Sequence, residues 1–179
     1  MSVRKIARAL ISVYHKDNLE SIVHLLAKHE VEFVSTGGTQ DFIEKLGYKV
    51  TPVETLTGYP SIFGGRVKTL HPAIFGGILY RRDEPGDVVQ ARELDIVPID
   101  LVIVDLYPFE ETVRSGGTEE DIIEKIDIGG ISLIRGAAKN FTDVLIVASR
   151  SQYTGLLELL QSKDGSSDLQ DRKKFAAMA

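Results

Sequence analysis

The sequence predicts an α/β fold built on a parallel sheet, and three observations carry that expectation. Short apolar runs alternate with amphipathic stretches along most of the chain, the order that gives strands joined by helices. Residues 101–106, LVIVDL, form a continuous β-branched run of the kind a parallel sheet buries on both faces. Polar, glycine-bearing or proline-bearing turns follow several of these runs, where α/β sheets place ligands, at the carboxyl ends of strands.

Ala7–Val13 (ARALISV) reads as a buried strand. Asp17 or Asn18 is then placed to cap a helix whose Leu19, Ile22, Val23, Leu25 and Leu26 make one apolar stripe. Val31–Ser35 is the second strand, and Thr36-Gly37-Gly38-Thr39 turns into a helix through Phe42, Ile43 and Leu46 that Gly47 closes. After a short strand at Lys49–Val53, a long loop runs from Glu54 to about Thr69, a length that marks function inside a compact domain. Pro72–Tyr80 and Val88–Leu94 read as helices. Thr118 caps an acidic helix, with Asp121 in the capping-box place. Asp127-Ile128-Gly129-Gly130 opens a helix to about Ala138, Val144–Ala148 is the last strand, and Ser151 is placed to cap a helix through Leu160. The polar stretch SKDGSSDLQDRKK that follows reads as a linker, and FAAMA as the start of a further helix. The expected division is therefore a domain over 1–160 and a linker with a helix start over 161–179.

Composition narrows the function classes. At 179 residues the chain makes one domain with a tail, or one domain and part of another. An apolar content of 43% with 26% charged residues suits a globular protein. The net charge of −5 argues against nucleic acid as the partner. The absence of cysteine removes disulfides, thiolate nucleophiles and thiolate zinc sites. No apolar run reaches membrane length and no secretory h-region opens the chain, so a cytoplasmic protein is expected.

The chemistry-bearing stretch is GGRVKTLHPAIFGG, residues 64–77. Glycine pairs let backbone approach a ligand, while Arg66 and Lys68 offer a fork and a point charge to a phosphate. Thr69 adds a hydroxyl, and Pro72 keeps His71 out of a helix. The first strand delivers Ser12, Tyr14 and Lys16; the second delivers Thr36, Gly37, Gly38 and Thr39 to a helix N-terminus, where free N–H groups and the dipole attract an anion. Tyr107 follows the LVIVDL strand, and an aromatic there serves packing or chemistry. Asp127 is a helix cap or a reacting carboxylate; Lys139 complements a helix dipole or reaches past the small residues 136–138.

The runs STGGT (35–39), GGRVKTLHP (64–72), DLYPF (105–109), IDIGG (126–130) and RGAAKN (135–140), in that order, resemble the inosine monophosphate cyclohydrolase domain of bifunctional purine biosynthesis enzymes. The similarity spans about residues 5–155. It implies a methylglyoxal synthase-like fold, a doubly wound, mostly parallel sheet with helices on both faces and a phosphate pocket. It also implies ring closure of 5-formamidoimidazole-4-carboxamide ribotide to inosine monophosphate and water. A folate-dependent transformylase domain would then follow the chain. No metal or cofactor is implied for the cyclisation, folate serving only that second domain, and a homodimer is expected. The family usually carries Asn before Leu-Tyr-Pro-Phe where this chain has Asp105, and a carboxylate accepts hydrogen bonds but cannot donate them.

On this reading Lys68 and Lys139 stabilise the formyl oxyanion, Asp127 accepts or orients the carboxamide N–H, and Tyr107 relays a proton. Ser12, Lys16, Thr36, Gly37, Gly38, Thr39, Arg66 and Thr69 bind the ribose phosphate, with Asp105 at the ligand. Two alternatives stay open: a lyase of the methylglyoxal synthase type, which needs a catalytic aspartate and histidine on the phosphate loops, and a non-catalytic nucleotide-sensing module.

Overall fold

The computed structural model describes residues 3–179. Two-residue β1 (Arg4–Lys5) leads to β2 (Arg8–Val13), α1 (Leu19–Lys28), β3 (Glu32–Ser35), α2 (Gly37–Lys45) and β4 (Val50–Pro52). Next come α3 (Val53–Thr57), a 3₁₀ turn at Phe63–Gly65, α4 (Pro72–Leu79), α5 (Pro85–Glu93) and β5 (Leu101–Asp105). The chain continues through α6 (Phe109–Arg114), α7 (Glu119–Glu124), α8 (Ile128–Lys139) and β6 (Leu145–Val147). A second 3₁₀ turn at Arg150–Gln152, α9 (Tyr153–Ser162), β7 (Ser166–Ser167) and α10 (Leu169–Met178) complete it.

Five strands form one all-parallel sheet in the order β4-β3-β2-β5-β6. The chain leaves β2 towards one edge and returns beside it with β5, so the doubly wound expectation holds. Alternate residues feed two cores, as the period-2 geometry of strands requires. Ala9, Ile11 and Val13 of β2 face α1 and α9 with Leu101 and Ile103 of β5. Leu10, Val102 and Val104 face α3, α4 and α8 on the other side. Helices therefore cover both faces. The topology reverses between β2 and β5, where Val13 pairs with Asp105, and a crevice opens at such a point beyond the strand ends.

Several expectations need correction. Asn18 precedes α1 with a left-handed φ of 61° and makes no side-chain cap bond, while Asp17 pairs with Arg150 at 3.2 Å. The loop after β4 is partly helical, since α3 puts Val53 in the core. Ser151 is not the cap before α9; Ser149 forms a capping box with Gln152. The stretch after 161 is no linker. β7 pairs antiparallel with β1, and α10 packs against β6 and α8, covering the sheet's exposed edge. Arg172 is fully buried, donating to the carbonyls of Phe141, Thr142 and Ser167. A polar composition hid this helix because its anchor is a charged side chain that carbonyls satisfy. α6 also went unread, its six residues being too few to show a period.

Candidate active site

A cleft of about 690 Å³ lies at the carboxyl ends of β2, β3 and β5. It brings together Ser12, Lys16, Thr36, Gly37, Gly38, Thr39, Arg66, Lys68, Thr69, Asp105, Tyr107 and Asp127, twelve of the thirteen candidates read from the sequence. The exception is Lys139. α8 has twelve residues, and at 1.5 Å of rise each, about 18 Å separates its ends. Asp127 caps the near end, so Lys139 stands at the far end, beside Arg81, Asp83 and Asp143 in another hollow. Within the chain Lys139 therefore stands apart from the other twelve candidates.

The cleft's anion-binding end is built from the turn into α2. Thr36 is extended (φ −149°) with no side-chain cap bond, and Gly37 takes φ +53°, a conformation open to glycine. The first N–H groups of a helix have no intrahelical acceptor, and Gly37, Gly38 and Thr39, which carry them here, line the cleft. Thr39 serves structure as well as site: its hydroxyl donates to the Val13 carbonyl at 2.9 Å and accepts from the Val13 N–H at 3.2 Å, tying α2 to β2. Lys68 Nζ lies 3.9 Å from where a Cβ on Gly37 would stand, and 3.7 Å from that of Gly65 (φ +93°). A Cβ at either position would only touch it, so the positive φ of both glycines, not space, is what favours glycine there. No carboxylate or carbonyl among the described residues claims that ammonium. Lys16 Nζ donates to the carbonyls of Val13 and Tyr14 at 2.6 and 3.0 Å. Burial pulls its pKa down, with Asp105 opposing. Arg66 pairs with Glu124 of α7.

The other end is organised by the start of α8. Asp127 accepts from the Gly130 N–H at 2.6 Å, and a Cβ on Gly130 would fall 2.6 Å from Asp127 Oδ2. Thr69 Oγ1 sits 3.0 Å from the Cβ position of Gly129, so the Lys68 loop packs on the first turn of α8. Tyr107 stands edge-on to Tyr14 with ring centroids 5.5 Å apart. Burial first, then the charge of Asp127 and the neighbouring Tyr14, raise the Tyr107 pKa, which keeps it a proton donor. Lys125, absent from the sequence reading, places Nζ 5.2 Å from the Tyr14 centroid and 5.9 Å from that of Tyr107. Its position two residues before Asp127 was the available signal. His71 accepts from the Ala73 N–H at 3.2 Å and stacks on Tyr59, so it caps α4.

This parallel sheet, with its anion turn and cleft at the switch point, defines the class: the chain belongs to the MGS-like domain family, which it matches over residues 18–132. It is 60% identical over 176 residues to the bifunctional purine biosynthesis protein PurH of Bacteroides thetaiotaomicron, covering 98% of this chain and 35% of that protein. It is 47% identical to the protein of that name from Bradyrhizobium diazoefficiens, covering 98% of this chain and 33% of the other. The chain thus spans about a third of the length of these curated relatives. Among solved structures it resembles "Crystal structure of ForH", with a TM-score of 0.79 and 31% identity, covering 96% of this chain and 88% of that one. Among the described residues no helix is long and apolar enough to cross a membrane, and no cluster of three or more His, Asp or Glu could hold a metal ion.

Proposed function

We propose that the chain is the cyclohydrolase unit of a purine biosynthesis enzyme, closing 5-formamidoimidazole-4-carboxamide ribotide to inosine monophosphate. The observation that carries this reading is one cleft in which an anion turn with Lys16, Lys68 and Arg66 adjoins Asp127 and Tyr107. The ribose phosphate lies on the α2 turn. The carboxamide nitrogen attacks the formyl carbon, forming the C–N bond and an alkoxide. Both groups are already on one imidazole, so orientation supplies much of the acceleration. Lys68 stabilises the oxyanion. Asp127, whose second carboxylate oxygen has no hydrogen-bond partner among the described residues, takes a carboxamide proton. Tyr107 delivers a proton to the departing oxygen. Asp127 returns its proton as the C–O bond breaks and water leaves, and the formamido N–H proton restores Tyr107, so the water carries, in net, one proton from each nitrogen. Lys125, over the Tyr14 and Tyr107 rings, is a further ammonium of the cleft.

The reading includes a cytoplasmic homodimer, calls on no metal or cofactor, and reserves folate for an accompanying transformylase domain. A lyase using a histidine of the phosphate loops is disfavoured, because His71 caps α4 outside the cleft and His15 is engaged by Asp105. Lys68→Ala is the test. Turnover should fall at least 100-fold with weaker binding of inosine monophosphate, the scale of one lost oxyanion donor, roughly 10²–10³. Near-native kcat would sink the assignment.

A further inference from the structure

Asp105 lines the cleft, yet its carboxylate is engaged by the protein's own loop. Oδ2 accepts from the His15 backbone N–H at 3.0 Å and from His15 Nδ1 at 2.6 Å. The Asp105 carbonyl accepts from the Tyr14 N–H at 3.2 Å. One residue at the end of β5 thus fixes two consecutive residues beyond β2. Lys16 comes next, and its ammonium is held by the carbonyls of Val13 and Tyr14, the same clamped stretch. The loop's rings interlock too, Tyr14 meeting His15 edge-on at 4.9 Å between centroids. Arg150 Nε also stands 4.0 Å from Asp105 Oδ2, and the same side chain is shared with Asp17.

We propose that Asp105 and His15 are a positioning pair that holds Lys16 at the anion end of the cleft, with His15 keeping the Asp105 carboxylate off the ligand's phosphate. The proposal deepens the reading of the cleft as a ribotide site and rests on it. A carboxylate cannot donate to a ligand, and unpaired beside an anion it repels. Directed onto His15, it braces a phosphate-binding lysine instead.

Two variants separate this role from packing. His15→Phe keeps a ring against Tyr14 but cannot donate, whereas His15→Asn loses the ring and keeps an amide N–H near Nδ1. Calorimetry with ribose 5-phosphate should give about tenfold weaker binding for His15→Phe, the order expected for one hydrogen bond to a charged group. His15→Asn should stay within about threefold of the parent. With the formylated ribotide, KM should follow the same pattern while kcat changes less than KM. Equal ribose 5-phosphate affinity in His15→Phe and parent, no rescue by His15→Asn, or no binding by the parent would overturn the pair. The expected contrast without any inosine monophosphate formation would instead uphold the pair and refute the cyclohydrolase reading.

Discussion

Arg66 enters the anion pocket already paired with Glu124, and both side chains are more than half exposed. An exposed pair of this kind contributes little to stability, so its consequence is for the ligand, whose phosphate must take the carboxylate's place. Arg66→Lys should raise KM more than it lowers kcat, because a bidentate fork becomes a point charge. Glu124→Gln should lower KM, since no carboxylate then competes. Steady-state kinetics on the two variants reads both, and a kcat loss at unchanged KM in Arg66→Lys would place that residue at the reacting ring. Asp127→Asn should keep its cap, as Asn caps as well as Asp, and lose about 10²–10⁴ in kcat, the span of one general acid–base group. Inosine monophosphate should still bind that variant within about tenfold; a retained kcat would leave Asp127 a cap alone. Most single residues of the cleft were legible because glycine pairs, cations and strand ends mark them locally. That Lys139 stands apart from the cleft and Lys125 lines it was not legible, for one reason. Sequence proximity to small residues does not say which end of a helix faces the cleft, and twelve helical residues separate the two ends.

At the scale of elements, α10 shows where composition misleads. Its run of Gln, Asp, Arg, Lys and Lys looks solvated, yet Phe175 is 4% exposed and reaches the core of α1 and α9. Phe175→Ala should cost about 3–5 kcal/mol, as large-to-small core changes do, seen as a lower urea midpoint. A shift below about 1 kcal/mol would mean that the helix is a dispensable tail. Caps divided in the same way. The box at Thr118 and Asp121 was readable because donor and acceptor are three residues apart. Asn18 was not, because it takes a left-handed backbone rather than the extended one of a capping residue and makes no side-chain cap bond. The alternation of strands and helices gave the sheet, while the order β4-β3-β2-β5-β6 depends on pairings between residues far apart in the chain.

Across the whole molecule the two ends of the sheet have different work. Opposite the cleft, Asp100 accepts from the Ala7 and Arg8 N–H groups at 2.8 Å each and pairs with Arg82, nearly all of it out of solvent. Asp100→Ala should cost several kcal/mol, on the order of 3–5 for removing one partner of a buried ion pair. Ribotide affinity of the folded fraction should be unchanged, because the cleft lies at the other strand ends. Lost affinity at intact stability would contradict that division. Conversion is the property that joins the anion turn, Lys68, Tyr107 and Asp127 into one device. The direct measurement follows the ultraviolet absorbance of the chain mixed with 5-formamidoimidazole-4-carboxamide ribotide. The expected result is stoichiometric formation of inosine monophosphate, with the unformylated ribotide inert and the Asp127→Asn and Lys68→Ala chains slow. Tight binding of inosine monophosphate with no ring closure would contradict the account and make the cleft a nucleotide sensor.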